Sequence, residues 1–399
     1  MRLLSLESAQ DLNQELARIG VDPRAWNIFA QKNRIISLKL TRLSPATANI
    51  LKQTALVTGA DCAIHRQVIS GRIRQSDCIL FATPRQYEEI CLRLKSQPEC
   101  AARLVPIIQH LINRALTPLS SIKIGNQTFD FQHQTYCMGI LNITPDSFYD
   151  GGKYLDPAAA LDHAYQLITA GAAILDLGAE STRPGAQPVP PAEQLRRLLP
   201  VLKPLAKKVK IPISIDTTSA RVAEAALNAG AKIINDISGL KFDPTLAKVC
   251  ARHNAGLILM HIRGTPRTMQ RHPVYHDLMQ EIIDQLRTAV DQALTAGCKP
   301  EQLFIDPGIG FGKTVSHNLE ILRRLGELRT LGLPIVVGPS RKSFIGKTLN
   351  LAPEQRLEGT IAACLVAALN GAGIVRVHDV QPVQRALSLL NAIRFSGVS

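Results

Sequence analysis

Eight times after residue 134, a short apolar run ends on a polar residue and gives way to a helical stretch. This repeat constrains the fold more than any other feature of the chain. The runs lie at 137–141, 173–177, 211–215, 232–234, 256–260, 303–305, 334–337 and 373–377. Short apolar runs bounded by polar residues read as buried strands. Helical periodicity fills the spaces between them, at 158–170, 219–228, 244–253, 277–295, 316–329, 353–370 and 381–393. Asp156-Pro157 and Asp243-Pro244 are cap-and-proline starts for two of these helices. Eight strands alternating with helices over residues 131–399 fit a (β/α)8 TIM barrel, which ordinarily takes about 250 residues. An open doubly wound sheet is the rival. It has fewer strands in such a length, and no dinucleotide-binding glycine fingerprint follows the first strand.

Residues 1–130 read as a separate small α/β domain of undisclosed role. Helices are predicted at 46–56 after Ser44-Pro45, at 84–94 after Thr83 and at 106–114, with a strand at 78–82. Composition enters here through charge. The chain carries 46 basic and 32 acidic side chains, a formal +14. Residues 1–130 supply 17 and 10 of these, so a third of the chain holds half of the excess. Most of it lies in segment 31–74, where Asp61 is the one acid. A basic excess suits nucleic acid, an anionic surface or an anionic small molecule. The segment has no aromatic side chain on which a base could stack, so nucleic acid is not the expected partner. No apolar run is long enough for a membrane span, and the first residues lack a signal-peptide pattern, so a cytoplasmic protein is expected. The eight cysteines contain no C-x-x-C pair and are expected to be buried, reduced thiols.

In a (β/α)8 barrel, chemistry collects where strands end. Asn142 follows the first strand. The second carries Asp176 and leads to Glu180, Thr182 and Arg183. Asp216 ends the third and Asn235-Asp236 the fourth. Met260-His261 ends the fifth and Asp306 the sixth. Gly338 and then Ser340-Arg341-Lys342-Ser343 follow the seventh, and Arg376 and His378-Asp379 close the eighth. A single Asp or Asn at such a place reads equally well as a helix cap. Eight polar ends together do not, because an unpaired buried carboxylate costs on the order of several kcal/mol. Asp216, Asn235 and Asp306 suit a flat, donor-rich heterocycle, since a carboxylate accepts two parallel hydrogen bonds. Arg183, Lys313, Arg341, Lys342, Arg376 and His378 suit a polyphosphate. Residues 340–343 are predicted to open a helix whose first amides favour an anion. The glycines of 308–313 do not have P-loop spacing and by themselves say little about phosphate. His261 reads as a core histidine, and His163, His253, His272, His276 and His317 as surface or helix residues.

Met138 to Phe148 with Asp150-Gly151-Gly152 strongly resembles the first signature of the dihydropteroate synthases. Glu180 to Gly185 resembles the second, and Asp306 to Lys313, Ser340 to Ser343 and Arg376 to Val380 resemble the later ones. The resemblance covers the whole expected barrel. It implies a transferase of folate biosynthesis that joins 6-hydroxymethyl-7,8-dihydropterin diphosphate to 4-aminobenzoate and releases pyrophosphate. It implies that Asp216, Asn235, Asp306 and Lys342 hold the pterin with Met260 beside it. Asn142, Arg376 and His378 would hold the diphosphate, with Mg2+ near Asn142. Asp146 and Phe148 would lie on one mobile loop, and Thr182, Arg183 and Pro184 on another. Phe311, Gly338 and Ser343 would line the aminobenzoate site. Asn142, Asp146, Arg183, Lys342, Arg376 and His378 are thus the expected catalytic set. Tyr149, Thr218 and Pro339 depart from the family's usual residues without removing an expected ligand. A pterin-dependent methyltransferase is the nearest alternative, but it needs no diphosphate pocket. Related barrels pair through late helices, so a homodimer is expected, with Ile361, Cys364, Leu365 and Leu369 as the candidate stripe; the alternative is that this stripe simply faces the barrel.

Overall fold

The computed structural model describes residues 2–4, 6, 9–144, 156–180, 187–271 and 273–394. They form two compact units, Met1–Thr117 and Pro118–Ser399.

The first unit is built on a three-stranded antiparallel sheet of β1 (Ile36–Leu43), β2 (Asp61–Ile64) and β3 (Ser76–Ala82), with β3 in the middle. Along β3, Ser76, Cys78, Leu80 and Ala82 are buried while Asp77, Ile79 and Phe81 are exposed. This period-two alternation is what a sheet covered on one face requires. Cys78 and Leu80 share a core with Leu51, Ile90 and Ile108, from the helices Pro45–Val57, Pro84–Leu94 and Leu104–Leu116. The cap-and-proline starts behave as expected. Ser44 Oγ accepts from Thr47 N at 3.1 Å, and Thr83 forms a reciprocal capping box with Gln86. Part of the basic segment is the outer face of β1, where Lys39 and Arg42 alternate with the inward Leu40 and Leu43.

The second unit begins with a hairpin, β4 (Ile122–Ile124) and β5 (Gln127–Phe129). Eight strands then close into a barrel: β6 (Tyr136–Asn142), β7 (Ile174–Gly178), β8 (Ile213–Asp216), β9 (Ile233–Asp236), β10 (Gly256–Met260), β11 (Leu303–Asp306), β12 (Ile335–Val337) and β13 (Ala372–Val377). Every neighbouring pair is parallel, and β13 closes on β6. All eight strands stand where the apolar runs predict them. The helical reading needs adjustment at four places, the first being the helix Pro191–Lys208 between β7 and β8, where no helical stretch is expected. The stretch 316–329 is a helix, Val315–Arg323, followed by a 3-10 segment, Leu325–Leu331. The stretch 244–253 starts at Leu246, and 353–370 becomes helical at Leu357 after a short 3-10 turn.

Strand parity divides the side chains cleanly. Leu175, Leu177, Ile215, Leu257, Leu259, Ile305, Val337 and Val375 face outward into the core shared with the helices. Met138, Ile174, Ile233, Ile258, Phe304, Val336 and Ile374 form a second cluster inside the barrel. The hairpin's Ile122, Ile124 and Phe129 belong to this inner cluster, and the Phe129 ring meets Tyr136 edge-on at 4.9 Å. The hairpin therefore closes the N-terminal end of the barrel with apolar side chains. Period two then puts Asn142, Asp176, Asp216, Asn235, Met260, Asp306 and Arg376 on the same inward face, above that apolar floor.

Candidate active site

Four of the inward positions above the floor, Asp176, Asp216, Asn235 and Arg376, are joined by hydrogen bonds into one polar cluster. Arg376 on β13 donates from Nε to Asp176 Oδ2 on β7 at 2.6 Å, and from Nη2 to Asp216 Oδ2 on β8 at 3.0 Å. Asn235 on β9 donates from Nδ2 to the same Asp176 oxygen at 3.3 Å. Asp306 on β11 accepts from Gly308 N through Oδ1 at 2.7 Å. All four acceptor-bearing residues are buried. Burial pushes the Asp216 carboxyl up to about 7, with Arg376 opposing the rise and Asp176, Glu180 and Asp236 adding to it. Burial likewise raises Asp306, against the pull of Gly308 N and of the Lys342, Lys313 and Arg376 charges.

Lys342 approaches from the other side. Its Nζ donates to the carbonyl of Ile309 and lies 4.4 Å from the centre of the Phe311 ring, a cation–π contact. Burial lowers its pKa to about 8, while Asp306 works the other way. The loop carrying Ile309 and Phe311 is tightly specified. Gly310 N donates to Asn318 Oδ1 at 2.7 Å, Gln270 Nε2 donates to Gly310 O at 2.7 Å, and Tyr275 Oη donates to Gly312 O at 2.8 Å. Gly308, Gly310 and Gly312 all have positive φ. At Gly308 a side chain is excluded twice over, because a Cβ would also collide with the His261 carbonyl oxygen. Phe311 packs with Met260, Ile237, Ile262 and Met269, an apolar wall beside the polar cluster.

At the eighth strand end, His378 N donates to Ser340 Oγ at 3.2 Å, and Ser340 Oγ lies 3.0 Å from His378 Nδ1. Gly338 is buried on the inward face, its open side toward the Arg376 side chain. Asn142 sits at the rim, half-buried, next to Gly178.

The structure thus brings Asn142, Asp216, Asn235, Met260, Asp306, Phe311, Gly338, Lys342, Arg376 and His378 to one end of the barrel. Asp146, Phe148, Thr182, Arg183 and Pro184 lie outside the described residues. Three expectations are corrected. Lys313 does not stand at the mouth: it is buried, its Nζ is 2.9 Å from His261 Nδ1 and donates to Phe311 O at 3.0 Å, and burial holds its pKa well below the usual lysine value. Arg341 is already engaged, gripping Asp379 through two bonds at 2.8 and 2.6 Å. Residues 340–342 form a turn rather than a helix start; the helix is Ser343–Leu349, with Ser343 as its exposed first residue. His261 is a core histidine, as read. Asp236 turns outward and accepts from Ser238 N, Ser238 Oγ and Leu240 N at 2.8, 2.7 and 2.6 Å, which is a capping role. Asp176 is the member of the cluster that the sequence reading did not select. Strand parity held the signal, since Asp176 stands two residues after Ile174 on the inward face.

The family described as "Pterin binding enzyme" matches residues 138–378. The chain is 48% identical over 273 residues to the dihydropteroate synthase of Synechocystis sp., covering 68% of this chain and 94% of that protein. The dihydropteroate synthase of Clostridium difficile, solved in the presence of pteroic acid, superposes with a TM-score of 0.63 at 45% identity, over 66% of this chain and 98% of that one. A probable bifunctional folylpolyglutamate synthase/dihydropteroate synthase of Haloferax volcanii is 36% identical over 393 residues, 96% of this chain and 46% of that protein. That similarity extends into the first unit.

Proposed function

The chain belongs to the family of pterin-binding enzymes and carries out the dihydropteroate synthase reaction, and on that premise we propose what each part of the barrel mouth does. The observation that carries this division is the buried set Asp216, Asn235 and Asp306, joined to the cations Arg376 and Lys342. A dihydropterin presents an aminopyrimidine edge of N–H donors, and buried acceptors without competing water recognise that edge strongly. Asp216, Asn235 and Asp306 take those donors. Met260 and Phe311 offer the ring an apolar wall. Lys342, beside Asp306 and over Phe311, adds an N–H donor for the heterocycle. Arg376, His378 and Asn142 take the diphosphate. Gly338 and Ser343, with Phe311, border the space for 4-aminobenzoate. The relative solved with pteroic acid, a pterin joined to 4-aminobenzoate, supports this pair of small-molecule substrates.

Among the described residues, no group of three or more His, Cys, Asp and Glu side chains is placed to hold a metal. Mg2+ ordinarily keeps several waters and is held by one or two carboxylates together with substrate phosphates. Here the Asn142 amide oxygen at the rim would be its protein ligand, with the diphosphate and water supplying the rest. When bound, the ion would help neutralise charge on the leaving pyrophosphate. The arylamine is nucleophilic as it stands, so the chain's task is to orient and to stabilise departing charge rather than to abstract a proton. Asp146, Thr182 and Arg183 complete the site by their place in the family signatures. Of the expected late-helix stripe, Cys364 is buried in the barrel core and Ile361 and Leu365 pack against it, so that Leu369 alone is exposed; we place the proposed dimer contact on Leu369 with the exposed Val366 and Leu389.

The test is release of pyrophosphate from dihydropterin diphosphate, with and without 4-aminobenzoate. Release that depends on 4-aminobenzoate and yields dihydropteroate is expected. Turnover that ignores 4-aminobenzoate would sink the reading.

A further inference from the structure

Asp176 is fully buried and has no assigned role in the division above, yet two of the proposed ligands converge on it. It faces Ser214 in the strand register, one inward position deeper than Gly178, which faces Asp216. Its Oδ2 accepts both Arg376 Nε at 2.6 Å and Asn235 Nδ2 at 3.3 Å. Its Oδ1 is buried without a donor, as is the Ser214 hydroxyl; among the described residues these are the two buried side-chain atoms left so. One guanidinium is therefore divided between a deep carboxylate, Asp176, and a shallower one, Asp216.

That division has a consequence once a ligand arrives. A heterocycle that donates to Asp216 competes with Arg376 Nη2 for Oδ2. An arginine anchored to Asp216 alone would lose its bearing as the carboxylate changed partners. With Nε tied to Asp176 from below, the side chain keeps its axis while its terminal nitrogens are released toward the mouth. The unused Oδ1 leaves Asp176 with acceptor capacity for a further N–H of the same fork. The same carboxylate orients the Asn235 amide. We propose that Asp176 is a positioning residue of the reaction, holding Arg376 for the diphosphate while Asp216 is given over to the pterin. This rests on the assignments of Arg376 and Asp216 made above.

A double-mutant cycle separates positioning from mere support of the fold. kcat and KM for dihydropterin diphosphate are measured at saturating 4-aminobenzoate for the full chain, Asp176→Asn, Arg376→Ala and the double variant, with thermal melts to show that each is folded. Asp176→Asn is expected to lower kcat/KM about 30-fold, chiefly through kcat, in the presence of Arg376. In the Arg376→Ala background it is expected to cost less than about threefold, because the residue it acts through is gone. Equal losses in both backgrounds would overturn the proposal and leave Asp176 a structural residue, with the assignment of Arg376 intact. An Arg376→Ala enzyme as active as the parent would overturn that assignment and the proposal with it. If Asp176→Asn does not fold, Asp176→Glu, which keeps the charge and displaces the oxygens by one methylene, enters the cycle with the same two outcomes.

Discussion

Asp306 owes its strength as an acceptor to the cost of burying it. Among the described residues its side chain has one protein donor, Gly308 N on Oδ1, and burial raises its pKa, so donors from a bound ring are in demand there. Asp306→Ala is expected to weaken binding of the pterin substrate by more than 100-fold, from two charge-assisted bonds of roughly 1.5–3 kcal/mol each. Calorimetry with the pterin alcohol checks this; an affinity within tenfold of the parent would remove Asp306 from the site. Two groups also set a pH window. Asp216 must be ionised to accept, and its carboxyl is pushed up to about 7 by burial. Lys342 must be protonated to donate, and its pKa is lowered to about 8, again by burial. Activity should therefore rise as the pH passes about 7 and fall as it passes about 8, a narrow bell whose limbs belong to the coupled cluster. A rate profile flat from pH 6 to 9 would contradict both shifts.

Among the elements, the glycine loop after β11 is the most exacting. Its carbonyls at Ile309, Gly310, Phe311 and Gly312 accept from Lys342, Gln270, Lys313 and Tyr275. These bonds fix where Phe311 stands and hence where Lys342 rests. Gly308→Ala would force an L side chain into positive φ and against the His261 carbonyl, so a loss of about 2 kcal/mol or more of stability is expected, with the loop displaced. Chemical denaturation measures it; a midpoint equal to the parent's would mean the loop has a second conformation. The eight barrel strands were legible because each is a short apolar run bounded by polar residues. The strands β1, β2, β4 and β5 were not. β1 mixes Lys39 and Arg42 into its alternation, and the other three are short and carry polar side chains such as Asp61, Lys123 and Thr128, so none reads as a continuous apolar run. The helix Pro191–Lys208 contains Pro200 and Pro204, which argue locally against a helix. Its buried Leu198, Val201, Leu202 and Leu205 outweigh them through packing.

At the scale of the whole molecule, the hairpin decides where the catalytic unit can be cut. The boundary expected at residue 130 leaves Ile122, Ile124 and Phe129 in the other piece, although they belong to the barrel's inner cluster. Deleting a buried aromatic alone costs on the order of 3–5 kcal/mol. A fragment of residues 118–399 is therefore expected to fold and turn over, and one of residues 131–399 to melt at least about 10 °C lower or aggregate. Equal melting temperatures would show that the hairpin does not seal the barrel. The sequence alone determined the strand and helix alternation and the order of polar strand ends, because periodicity and capping are local properties of neighbouring residues. Most of the candidate site followed from it, since in a parallel barrel all strand ends meet on one rim. Only the tertiary structure decided which of those polar residues are already engaged. Arg341 belongs to Asp379, Lys313 to His261 and the loop, and Arg376 to Asp176 and Asp216 together. Pairing depends on distances across the barrel between residues as many as 200 positions apart, and no local pattern encodes them.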